Sequence, residues 1–161
     1  MPATRAGMRV RAQRRADMVG SGFVSDAEWN DYLNEGLAQL HWIVVGKNED
    51  FIVSSTPITT VSGKSDYTLP DDFMRERAAD YGSAGVTRTM RKFMLSERNR
   101  YSGLYSITDA RTVPQYQIIG NYFKIIPTPN GSGDTITFYY IPDAQVLAND
   151  GETINLAYPN G

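Results

Sequence analysis

From Ser25 to Val45 the chain reads SDAEWNDYLNEGLAQLHWIVV, and this stretch narrows the possible folds more than any other. Ser25 and Glu28 form an S-x-x-E capping box, in which the serine oxygen takes the N3 amide and the glutamate reaches back to the cap. Trp29, Leu33, Leu37, Leu40 and Val44 then recur at spacings of three and four, so one face of the helix is apolar. Tyr32, Gly36 and Ile43 widen that stripe, and Gly46 is suited to the C′ position. An amphipathic helix must lay its stripe on something. The spacing predicts that the Trp29, Leu33, Leu37, Leu40 and Val44 face is buried within the protomer.

A second helical pattern precedes it and has the opposite character. Ala3 to Val19 carries Arg5, Arg9, Arg11, Arg14 and Arg15 against one acid, Asp17. Residues 1–20 thus sum to +4, and the chain total of −2 leaves −6 for the remainder. At about 100° per residue, Arg5 and Arg9 share one face while Arg11 and Arg15 share another, roughly 120° away. A helix ringed with cations in this way suits packing among acidic protein neighbours better than a single phosphate-tracking stripe. The five arginines are therefore candidate partner-interface residues.

After residue 50 the pattern shortens. Phe51–Ser55, Ile58–Val61 and Ser65–Leu69 read as strands, divided by Pro57 and by Ser62-Gly63-Lys64. Pro70 lacks an amide donor and Asp71-Asp72 favour a turn or helix start. Propensity then predicts a strand near Ala78–Tyr81 and a helix near Met90–Arg100. Gln115–Ile119 and Tyr122–Ile126 flank Gly120-Asn121, a two-residue loop suited to a primed turn. The strand Thr135–Ile141 follows, dense in β-branched and aromatic residues, and the three are expected to form an antiparallel meander over 115–141. Residues 142–161 have no periodicity, although Ile154, Leu156 and Tyr158 are apolar and need cover. The expectation is an extended arm ordered by another subunit or by a further partner. The whole is an α+β chain of one domain, divided into 1–20 (basic helix), 25–45 (amphipathic helix), 51–141 (β-rich) and 142–161 (arm).

The residue inventory excludes much chemistry. With no cysteine, the chain forms no disulfide, thiolate zinc site or iron–sulfur cluster and has no cysteine nucleophile. The lone histidine, His41, lies beside the apolar stripe and reads as a packed helix residue. Asp71, Asp72 and Glu76, like Asp26, Glu28 and Asp31, lack calcium-loop spacing and are explained by the preference of carboxylates for helix starts. No nucleophile elbow, P-loop or dinucleotide fingerprint occurs. The expectation is a protein without catalytic residues, cofactor or metal. No apolar run approaches the roughly 20 residues needed to span a bilayer, so no membrane partner is expected. Seven of the ten tyrosines follow residue 100. Strand alternation sends Tyr139 and Tyr140 to opposite faces, and Tyr139, Ile154, Leu156 and Tyr158 join the arginines as candidate contact residues.

Taken in order, these segments resemble a known group. The opening MRVRAQRRADM, the helix FVSDAEWNDYLNEGLAQL, the segment DYTLPDDF and the hairpin IIGNYFKIIPTP are similar to head-to-tail adaptor (connector) proteins of tailed bacteriophages. The resemblance covers the chain to about Asp143. It implies a helical bundle, a small β region, no catalytic activity, and a terminal extension that docks into the portal. It also implies a ring, usually of twelve copies, at the head–tail junction of the virion and assembled in the host cytoplasm. Its partners would be itself, the portal protein and a tail or nozzle protein, with DNA only as cargo through the channel. Members of the group commonly continue past a segment like Tyr158-Pro159-Asn160-Gly161 into a further helix, without which the Trp29 helix lacks part of its packing partner. A different class of function rests on the residues alone: a small nucleic-acid-binding module using an aromatic β meander and the arginine helix as a clamp. The acidic pI of about 5.4 counts against it, since nucleic-acid domains are usually basic.

Overall fold

The computed structural model describes residues 4–99 and 113–154. Its contacts separate into two compact units, one formed by the N-terminal residues to Ile52 together with the segment from Asp143, the other by Val53–Pro142.

The first unit contains two helices, α1 (Arg5–Arg15) and α2 (Asp26–Lys47). Helix α2 begins with the capping box read from the sequence: Glu28 N–H donates to Ser25 Oγ at 3.3 Å, and Ser25 N–H donates to Glu28 Oε2 at 2.7 Å. Those bonds to Ser25 hold the Glu28 carboxyl below its ordinary range. The helix runs through Gly46 and ends at Asn48, whose extended backbone stops it. Helix α1 is shorter than its sequence pattern because the backbone turns left-handed at Asp17, with φ 54°. Met18 N–H bonds Gln13 O, and Asp17 N–H bonds Arg14 O. That pair of bonds is a Schellman motif, here built on aspartate instead of the usual glycine.

The second unit is a pair of four-stranded sheets. One has the order β1 (Ser54–Thr59), β8 (Thr135–Pro142), β3 (Phe73–Ser83), β4 (Val86–Thr89), with every pairing antiparallel. The other has the order β2 (Asp66–Thr68), β7 (Tyr122–Ile126), β6 (Gln115–Ile119), β5 (Arg91–Lys92), and is mixed because β5 runs parallel to β6. The fold class is α+β. Aromatic side chains from both sheets meet in one core. Phe123 of β7 stacks on Tyr116 of β6 and meets Phe138 of β8, each at 5.0 Å between ring centroids. Phe138 in turn lies 5.8 Å from Phe73 and 5.6 Å from Tyr140.

Several sequence expectations change here. The hairpin Gln115–Ile126 forms as read, and Gly120 takes the positive φ of 59° that its turn requires. The third strand does not continue it as a meander. Residues 135–142 leave the hairpin's sheet and insert between β1 and β3 in the other, where Ile136, Phe138 and Tyr140 are buried. Alternation along β8 fixes which residues face the core but leaves open which sheet accepts them. The helix expected near Met90–Arg100 is absent among the described residues; β5 and a 3-10 turn at Leu95–Glu97 take its place. Asp71 and Asp72 stand in a turn before a strand, not at a helix start, and Asp72 accepts a hydrogen bond from the Tyr140 hydroxyl at 2.8 Å. The first two strands expected after residue 50 are a 3-10 turn at Glu49–Ile52 and a single strand that passes through Pro57.

Candidate assembly interface

The arginines of α1 divide into two sets. Arg5 and Arg9 point toward the segment that follows Asp143, and both reach Asp150. Arg5 Nη2 lies 2.8 Å from Asp150 Oδ1, while Arg9 donates through Nη1 to Oδ1 at 3.0 Å and through Nη2 to Oδ2 at 3.1 Å. Hydrogen bonds from Arg9 and then Arg5 hold the Asp150 carboxyl below its ordinary range. Arg9 also donates to Asn30 at 2.9 Å and lies 3.5 Å from Asp26, both on α2. Arg11, Arg14 and Arg15 are exposed and make no ion pair among the described residues. The division follows the helical spacing: positions 5 and 9 turn inward, and 11 and 15 do not.

The segment from Asp143 is more ordered than its composition suggests. Arg5 N–H donates to Glu152 O at 2.8 Å and Ala6 N–H to Asp150 O at 3.2 Å, while Gly7 N–H is taken by Thr4 Oγ1 at 3.2 Å. The first amides of α1, which no helical carbonyl can satisfy, thus find partners largely in this segment. Asn34 of α2 clasps the Leu147 backbone on both sides, accepting from its N–H at 3.0 Å and donating to its carbonyl at 3.4 Å. The Leu147 side chain is fully buried. Residues 143–154 therefore lie on their own helices, which departs from the expected arm across another subunit. Ile154 is half-buried; Leu156 and Tyr158 lie outside the described residues.

Helix α2 buries a different face from the one its apolar stripe marks. His41 and Val45 are its buried residues, whereas Trp29, Leu33, Leu37 and Val44 are half-buried and Leu40 is exposed. The buried face includes the Asn30 and Asn34 side, where the polar contacts to α1 and to Leu147 are made. Tyr32, Trp42 and Ile43 are 58%, 61% and 61% exposed. Beside them stand Asp31 and Glu35, also exposed. His41 is packed, as its position on the helix predicts; its Nε2 has no hydrogen-bond partner among the described residues.

On the side of α2 that faces α1, Met8, Arg11, Ala12, Arg15 and Leu33 line an open groove of about 410 Å³. Its lining is chiefly apolar, from Met8, Ala12 and Leu33, and the two arginines that complete it are exposed.

In the β unit Tyr140 is buried and Tyr139 half-buried, as alternation predicts. Tyr116, Phe123, Phe138 and Tyr140 are spent on the sheet–sheet core, so the aromatic stacking platform that a nucleic-acid module requires is not available on that face. The net −6 of the chain beyond residue 20 conceals a basic stretch. Residues 75–100 hold seven Lys or Arg against three Asp or Glu. Alternating strand positions hid it, and part of the charge is internal to the unit, since Lys92 pairs with Glu76. Among the described residues no cluster of His, Asp and Glu is placed to hold a metal ion, and no helix is long and apolar enough to cross a membrane.

A comparison with curated proteins finds no match. The family model described as SU10 adaptor protein matches residues 3–161, nearly the full chain, in agreement with the order of segments noted above. The chain belongs to the SU10 adaptor protein family, a family of bacteriophage structural proteins.

Proposed function

We propose that this adaptor closes into a ring of identical copies at the head–tail junction, joining the portal to the tail or nozzle and leaving a channel for DNA. It acts by shape and contact, with no catalytic step and no cofactor, and DNA passes as cargo. The observation that carries this reading is the uncovered face of α2. Tyr32, Trp42 and Ile43 are more than half exposed on one helix, beside carboxylates that make no ion pair among the described residues. Apolar surface gathered in this way and edged by charge marks a contact surface. A cyclic ring is built from heterologous contacts, in which two unlike patches of the same chain meet and the rotation closes. The exposed cations of α1 and the acids of α2 supply such unlike patches.

Light scattering of the purified protein, alone and mixed with its portal, tests the reading. The expected result is a species whose mass is a fixed multiple of the 18.0 kDa chain, twelvefold for the usual adaptor ring, bound to the portal in a defined ratio. A monomer under both conditions overturns it.

A further inference from the structure

We infer that the groove lined by Met8, Arg11, Ala12, Arg15 and Leu33 is the socket for a second copy of this chain, which inserts Tyr32 and places Asp31 and Glu35 on Arg11 and Arg15. The inference rests on the ring reading above and specifies its contact.

The first argument is chemical fit. The groove is lined by the apolar Met8, Ala12 and Leu33 and by Arg11 and Arg15, both exposed residues of α1. Its complement is an apolar ring with two carboxylates beside it. On α2, Asp31, Tyr32 and Glu35 form that unit: three and four residues bring Tyr32 and Asp31 beside Glu35 on one face. The tyrosine is 58% exposed, and both acids are exposed. Trp29 meets Tyr32 edge-on at 6.2 Å between centroids, which limits the ring's freedom before contact. Insertion would then cost less side-chain entropy than for a freely rotating anchor. The tyrosine hydroxyl can stay at the groove rim in water while the ring covers Met8 and Leu33.

The second argument is placement. Arg9, Asn30 and Asp26 mark the side of α2 that meets α1. At about 100° per residue, Asp31, Tyr32 and Glu35 lie on the opposite side of the helix from that contact. Leu33 of the socket and Tyr32 of the plug thus lie about 100° apart on α2, so socket and plug occupy different faces of one small unit. By symmetry a two-fold pair engages both of its sockets or neither, which requires socket and plug to lie on one face. A head-to-tail series engages all of them, and closes if its rotation permits.

Reversing charges separates this proposal from the ring reading. One variant carries Arg11→Glu with Arg15→Glu; another carries Asp31→Arg with Glu35→Arg. All four positions are exposed, and circular dichroism should show both variants folded. Under conditions where the unaltered protein assembles, each variant alone should need at least about tenfold more protein to assemble, since like charges then meet at every contact. An equimolar mixture should regain assembly with the two variants alternating, because every socket again meets an opposite charge. Tyr32→Ala, with no charge change, should also weaken assembly.

Variants that assemble individually like the unaltered protein overturn the socket while leaving the ring intact, and assign the groove to some other occupant. Folded variants whose mixture stays monomeric overturn it too. Should a reversal unfold the chain, Arg11→Gln with Arg15→Gln serves instead, and unchanged assembly by that variant is equally fatal. An unaltered protein that never assembles, even with its portal, defeats the ring reading itself.

Discussion

Arg9 meets Asp150 with two nitrogens on two oxygens, at 3.0 and 3.1 Å, across 141 positions of sequence. The guanidinium is largely covered, with 13% of the side chain exposed, whereas the carboxylate is half exposed. Arg5 shares Oδ1 of the same carboxylate, so one acid anchors the C-terminal segment to two successive turns of α1. Bidentate geometry makes the pair directional as well as attractive. Asp150→Asn should loosen the segment. Hydrogen exchange at the Leu147 amide, held by Asn34, should become faster in the variant, while amides of β8 keep their rate. Unchanged exchange at Leu147 would mean that Asn34 and the backbone bonds from α1 hold the segment without this carboxylate.

The same carboxylate sets a pH dependence. Its folded pKa is depressed below the ordinary 3.8 by the hydrogen bonds from Arg9 and Arg5. For a depressed acid, the stabilisation is complete above the unfolded value and is lost as pH falls through the folded one. Protection of the Leu147 amide should therefore be constant from neutrality down to about pH 5, and decline below the ordinary aspartate range. In the Asp150→Asn variant that acid-linked decline should be reduced. A decline of the same size in both proteins would assign it to other carboxylates.

Local features of this chain were legible because their causes are local. The Ser25–Glu28 box, the Gly120-Asn121 turn and the alternation of Tyr139 and Tyr140 each depend on residues within a few positions. Helical spacing separated Arg5 and Arg9 from Arg11 and Arg15, though not which pair turns inward. What the sequence hid depends on distant partners. Leu147 shows no periodicity because its segment is held by single side chains, Asn34 and Arg5, through its backbone. The face that α2 buries was misplaced by roughly one residue's rotation, since polar contacts through Asn30 and Asn34, not the apolar stripe, fix how it packs. Likewise β8 has the pattern of a core strand in either sheet, and only its pairing with both β1 and β3 decides between them. Of the proposed contact residues, Arg11, Arg14 and Arg15 are exposed, whereas Arg5 and Arg9 are engaged within the chain.

The β unit should be most sensitive at Phe138. Its ring is fully buried and sits among Phe73, Phe123 and Tyr140, so it touches both sheets. Phe138→Ala should cost about 3–5 kcal/mol, the range for emptying an aromatic site in a packed core. Tyr122→Ala, on the neighbouring sheet but 52% exposed, should change stability by only about 0.5 kcal/mol. Urea midpoints of the two variants decide the matter, and similar losses would mean that the sheets do not share one core.

Stability should increase on replacing Asp17 by glycine. Asp17 is the left-handed residue of the motif that ends α1, with φ 54°, and that conformation is costly for any residue with a Cβ. The side chain is also a negative charge at the end of the helix where partial negative charge already gathers. Its backbone N–H donates to Arg14 O, and glycine retains that bond. Asp17→Gly should thus remove both penalties while keeping the cap, for a gain of about 1 kcal/mol in the helical unit. Asp17→Ala tests the cause: it deletes the charge but keeps the Cβ in the left-handed region. If backbone strain dominates, alanine should gain less than glycine in thermal unfolding. Equal gains would assign the effect to charge, and no gain from either would show that the strained turn is held without cost by its surroundings.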